Sequence, residues 1–230
     1  MSTRSFRILL AIVGFIGIVA LSVSFAINPG PPAGASISQI SVWGIQHERL
    51  IEAGAWLQIV GSFLQLVLIL GILSTTVAIR RFGGMITAAA VVLIMGVSLV
   101  ESSFYLSAIA GGVSGDAATL TMSLNLIKAI QHAYSIIPAP VLDAGLGIVI
   151  LSSPLFSGIV GRILGIAGIA FGVVLVILGF FGVFTSLQQT IDTILTVQQV
   201  WLIAIVVAVA FAANRKQPGL VTDGTASRAG

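Results

Sequence analysis

Two histidines and seven acidic residues carry most of the proton-exchange and metal-binding capacity of this chain, which has no cysteine. Glu101 and Asp143 stand out among them because each lies inside an apolar stretch, VVLIMGVSLVESSFYLSAIAG and PAPVLDAGLGIVILSSP. An ionisable side chain within a membrane helix costs about 2.5–3.5 kcal/mol on insertion scales, so both need partners or water. Asn125, Lys128, His132, Ser135, Ala139 and Asp143 are spaced 3, 4, 3, 4 and 4 residues apart, which places them on one helical face. Pro138 and Pro140 interrupt that face and should kink or break the helix. Glu101, with Tyr105 one turn on, has Lys128 and His132 as its natural cationic partners and Arg49 as another, while Gln58 lies on a polar face of the second helix. Glu101, Tyr105, Lys128, His132, Asp143 and Gln58 form the candidate ligand-binding set. The alternative is an ion-pair network that only fixes helix packing.

A metal is the second chemistry to weigh. His47, Glu48 and Glu52 with His132 offer imidazole and carboxylate ligands of the kind zinc, copper or iron take. The pattern HExxxE is not the HExxH of zinc proteases, and a charged turn at headgroup level explains it equally well. A haem bridged by His47 and His132 would require both at one depth. Without cysteine, thiolate metal sites, disulfides and iron–sulfur clusters are excluded.

The elements that must position these residues follow from composition. Of 230 residues, 57% are hydrophobic and only 7% charged, far from the quarter or so of charged residues in soluble domains. The apolar residues fall into blocks of about twenty, the length that crosses roughly 30 Å of hydrocarbon as a helix. Six such helices are predicted, at about 8–27, 57–79, 85–107, 134–153, 163–184 and 193–213. The fold class is therefore all-α, a polytopic bundle of six transmembrane helices over residues 1–216 with a disordered tail at 217–230. Residues 119–133 are amphipathic and extend above the bilayer or lie along it.

An even number of crossings puts both termini on one side. Arg4, Arg7, Arg80, Arg81, Arg162, Arg215, Lys216 and Arg228 then share that side, against Arg49 and Lys128 on the other. The positive-inside rule makes the first side cytoplasmic, in a multi-pass protein of the cell membrane. Ala33-Gly34-Ala35 resembles a signal-peptide cleavage site, but the preceding apolar core is longer than usual for one, favouring a retained first helix. By depth, Gln58 and Gln65 on the second helix, Glu101 on the third, and Asp192, Thr196 and Gln199 on the sixth all fall in the outer half. The inner halves are oily. The bundle thus reads as opening outward through a polar pocket.

Gly158, Gly161, Gly165, Gly168 and Gly172 recur every three or four residues on the fifth helix, a face for close helix packing within the chain or with a partner. Motifs for nucleotide binding, serine hydrolysis or zinc proteolysis are missing, as are an internal repeat and any basic cluster suited to nucleic acid.

His132 and Tyr134 opening the fourth helix, and Gly161-Arg162-Ile163-Leu164-Gly165 opening the fifth, resemble a family of bacterial six-helix membrane proteins of unknown function. The likeness covers roughly residues 40–213, while the charged, double-proline fourth helix departs from it. It implies the six-helix topology and carries no catalytic residue. Three functions remain open: binding or transport of a small polar ligand, a membrane-embedded redox protein using a metal or quinone, and a structural subunit of a larger complex. The first two place Glu101 and His132 at the centre; the third places the glycine face there.

Overall fold

The computed structural model of the chain describes residues 3–28, 35–182 and 188–214. Among them the regular structure is helical: α1 (Thr3–Ile27), α2 (Ile37–Thr75), α3 (Phe82–Ser114), α4 (Ala117–Ile136), α5 (Pro138–Ser152), α6 (Ile159–Gly182) and α7 (Gln188–Asn214). Six lengths of helix are long and apolar enough to cross a membrane, with α4 and α5 together forming one of them, Ala117–Ser152. The protein is an all-α, multi-pass integral membrane protein. The expected tail, Arg215, Lys216, the Ala33-Gly34 part of the cleavage-like motif and the Asp192 side chain lie outside the described residues.

Several helices outrun their apolar cores. α2 begins at Ile37 rather than near Leu57, because Ser36 and Gln39 make a reciprocal capping box that starts the helix in polar sequence. Its 39 residues span about 58 Å at about 1.5 Å per residue, nearly twice the hydrocarbon thickness. α3 continues through Gly111 and Gly112 and stops only where Gly115 takes a left-handed φ of 72°. Asp116 then caps α4 by accepting from the backbone N–H groups of Ala118 and Thr119.

The proline pair divides the fourth span. Ile137, at φ −122° and ψ −67°, leaves the helical region, and α5 restarts with Pro138 in its first turn. The predicted face from Asn125 to Asp143 is therefore two faces of two helices, with Asn125 and Lys128 exposed and Ser135, Ala139 and Asp143 buried.

Neighbouring spans pack in chain order: α1 on α2, α2 on α3, α3 on α5, α5 on α6, α6 on α7, and α7 back on α1. The ring is closed at one end by Arg7 Nη1, which donates to the carbonyl of Ala212 at 3.1 Å. Arg4, Arg7, Arg80, Arg81 and Arg162 all stand at that end, where α1 and α6 begin and α2 turns into α3. Glycines set the tightest contacts. A Cβ on Gly147 of α5 would sit 2.6 Å from the carbonyl oxygen of Gly165, and one on Gly168 would sit 2.8 Å from that of Asp143. The glycine face of α6 is thus consumed by α5 of the same chain, through Gly165, Gly168 and Gly172. Gly161 instead abuts Phe156 in the preceding turn, and Gly158, at φ 98°, shapes that turn.

Candidate functional site

A descending series of buried polar pairs links the helices. At the top, Gln58 of α2 donates to Glu101 Oε2 at 2.6 Å, and Gln131 of α4 donates to Glu101 Oε1 at 2.7 Å. Beside it, at or just above the same level, Ser102 donates to the carbonyl of Ala55, and one turn lower Ser62 and Ser98 share a 2.7 Å hydrogen bond. Lower again, Gln65 donates to Gln199 of α7 at 3.2 Å. The neighbouring Gln198 donates to Asp143 Oδ1 of α5 at 2.7 Å.

Helix rise converts this order into depth. Glu101 lies about 28 Å along α3 from the arginine-rich end, while Asp143 lies about 14 Å along α5, at about 1.5 Å per residue. Below Asp143 the interior is closed by Leu10, Leu68, Ile72, Leu146, Ile150, Ile205 and Val209. The polar series is thus a staircase that runs from the far end to mid-depth and stops on an apolar floor.

Each step is dry. Glu101 is 5% exposed, Gln58 3%, and Asp143 is fully buried. Tyr105 sits half-buried one turn beyond Glu101, and Tyr134 lies within electrostatic reach of both carboxyls. Two acceptors of this series, Asp143 Oδ2 and Gln198 Oε1, have no hydrogen-bond partner among the described residues. Trp201 completes the surroundings, its indole N–H donating to the carbonyl of Leu164 at 2.9 Å.

The partners of Glu101 differ from those expected. Both of its oxygens are held by neutral amides, and no cation lies within ion-pair distance of it among the described residues. Lys128 is exposed on the opposite face of α4, and His132 is half-buried beside Gln131 without a side-chain bond to Glu101. The reason is helical phase. Leu120, Ser123, Ile127 and Ser135 are the buried residues of α4, and Gln131 falls on the same face between the last two. Gln198 follows the same logic on α7, in register with the buried Leu202, Ile205, Val209 and Ala212. Sequence reading passed over both glutamines because it ranked residues by charge; the spacing of their apolar neighbours was the available signal.

His47 does not approach His132. Its ring stacks on Trp43 at 5.6 Å between centroids, and Nδ1 lies 2.8 Å from the Trp43 carbonyl oxygen one turn back. Among the described residues no three histidine or carboxylate side chains converge on a point that would hold a metal ion, so His47, Glu48, Glu52 and His132 make no joint centre. Open grooves lie away from Glu101. One of about 570 Å³ runs between the start of α2 and α4, lined by Ile37, Thr121, Met122 and Asn125 among others. The other sits at the arginine-rich end beside Ser153, Ser157 and Arg162.

No protein family, curated protein or solved structure matches the chain. The site has to be read from its own geometry.

Proposed function

We propose that this membrane protein binds a small, positively charged polar solute at Glu101 and serves as its transporter or sensor. The observation that carries the reading is a carboxyl only 5% exposed, anchored by amides from two other helices and, among the described residues, without a cation beside it. Holding such a group in the membrane is unfavourable by about 2.5–3.5 kcal/mol unless its charge is met, and an incoming ammonium or guanidinium group meets it. With the arginine-rich end in the cytoplasm, as positive-inside counting favours, Glu101 lies nearer the outer side and the solute reaches it from there.

The test is a thermal-shift screen of the purified protein against small amines, guanidines, amino acids and neutral sugars. Cationic members should raise the Tm, and Glu101→Gln should weaken their binding at least about tenfold, the loss of one charged contact of about 1.4 kcal/mol or more. Hits confined to sugars, or cation binding unchanged by the substitution, would overturn the reading. One observation favours a packing role instead: both Glu101 oxygens are already bonded, at 2.6 and 2.7 Å. On that reading Glu101→Leu loosens the bundle and no solute in the screen shifts the Tm.

A further inference from the structure

We propose that Asp143 and Gln198 form a proton-binding site at mid-depth, in which Asp143 carries a proton on Oδ2 and donates it to Gln198 Oε1. Both oxygens are buried, at 0% and 1% residue exposure, and neither has a hydrogen-bond partner. They belong to side chains already joined by the 2.7 Å bond from Gln198 Nε2 to Asp143 Oδ1. An acid and an amide paired in this way each present one donor and one acceptor, so a single added proton satisfies both orphan oxygens. As an ionised pair, the same two groups would leave two buried acceptors without a donor.

The surroundings select the occupant. A metal ion would need further oxygen ligands and room, yet α6 is pressed so closely on α5 that a Cβ at Gly168 would lie 2.8 Å from the Asp143 carbonyl oxygen. A proton needs no space. Nor is there a countercharge among the described residues: α3 brings Glu101 and Tyr105, α4 brings Tyr134 with His132 and Lys128 further up, and α7 brings Gln198. The only charged residue of α6, Arg162, lies about 9 Å along the helix from Gly168, at the arginine-rich end beside the 3-10 turn. Proton uptake forms one O–H bond at Oδ2 and converts the carboxylate to the acid, with the proton drawn from water at the upper end of the staircase. Position adds meaning, since Asp143 is the lowest ionisable side chain of the staircase, above the apolar cluster, and lies about two turns below the helix break. A protonatable carboxyl there gives the bundle a charge that can be switched at mid-membrane.

Infrared difference spectroscopy on the full chain in lipid nanodiscs tests this directly. The expected result is a carboxylic-acid C=O stretch at neutral pH that is lost in Asp143→Asn and retained in Glu101→Gln. Asp143→Asn should keep the wild-type Tm, because its amide N–H stands where the acid O–H stood. Gln198→Leu should shift the band toward that of an acid without a hydrogen-bond acceptor. Absence of an Asp143-dependent acid band from mildly acidic to mildly alkaline pH would overturn the proposal. So would a sodium-dependent rise in Tm, relative to choline, that vanishes in Asp143→Asn, since that would identify a metal cation as the occupant. Because Glu101→Gln leaves the Asp143 band in place, failure of this site and failure of solute binding at Glu101 are read separately.

Discussion

A carboxyl enclosed by amides and a carboxyl at a helix end stabilise the chain in different ways, and Glu101 and Asp116 separate the two. Replacing Glu101 by Leu leaves the amide donors of Gln58 and Gln131 without acceptors. Interhelical hydrogen bonds in membranes average about 0.6 kcal/mol and reach about 1.7, so losing two should cost about 1–3 kcal/mol, measured as denaturant or thermal unfolding in detergent. Glu101→Gln should lose less, since an amide can turn to offer its oxygen to one neighbour. Asp116 is exposed, and its hydrogen bonds from the Thr119 hydroxyl and backbone, then from Ala118, hold its carboxyl below the ordinary carboxylate range. A lowered folded-state value means the cap acts fully above the ordinary value and is lost as pH falls through the depressed one. The Thr119 amide resonance should therefore titrate at that lower pH, and Asp116→Ala should abolish the titration and speed hydrogen exchange in the first turn of α4. Both acids stand out in the sequence, Asp116 as a cap before a helical run and Glu101 as a charge in oil. The partners of Glu101 were not legible by charge. Pairing it with Lys128 assumed that opposite charges meet, whereas helical phase sends Lys128 outward and Gln131 inward.

Helices were legible wherever their cores were apolar, and least so at their ends. Hydropathy marks the stretch that needs lipid; a polar run continues the helix without changing that signal, as α2 does for twenty residues ahead of Leu57. The capping pair Ser36 and Gln39 was the readable sign of its start. The double proline announced the break between α4 and α5, but not that it falls on Ile137, the residue that proline sterics push out of the helical region. The glycine stripe on α6 was equally visible, while its partner was not, because a small-residue face fits any helix with a matching one. Gly147 and Gly165 supply that match inside the chain. Filling it should be costly: Gly147→Leu or Gly168→Leu forces apart backbones with no spare distance, an overpacking penalty of typically 1–3 kcal/mol or more. Gly158→Ala meets no atom but must adopt a φ of 98°, so its effect should be smaller and confined to the α5–α6 turn. Unfolding midpoints of the three variants, compared in one detergent, give this order, and a Gly168 variant as stable as wild type would contradict the close α5–α6 contact.

At the scale of the molecule, the ring of spans separates two ends of opposite character. One end gathers Arg4, Arg7, Arg80, Arg81 and Arg162; the other carries Glu48, Glu52 and Asp116 on helices that run well past the bilayer. If the arginine-rich end faces the cytoplasm, as positive-inside counting requires, the polar staircase is reached from outside and its apolar floor faces in. The absence of native cysteine makes this measurable, because a single introduced thiol is the only one that can react. Thr121 is exposed on the projecting part of α4, and Arg81 is exposed in the turn between α2 and α3. In intact cells a membrane-impermeant maleimide should label Thr121→Cys at once and leave Arg81→Cys unmodified until the membrane is opened. The reverse pattern would turn the molecule over, and the staircase would then lead from the cytoplasm to Asp143. Equal labelling of both sites in intact cells would be incompatible with a six-span ring whose termini share one side. Placing a third cysteine at Trp56, which is 63% exposed on the outer flank of α2, fixes the boundary itself. Sheltered by lipid, it should react slowly with the charged reagent and readily with an uncharged one, marking the level at which α2 leaves the membrane and the descent from Glu101 begins.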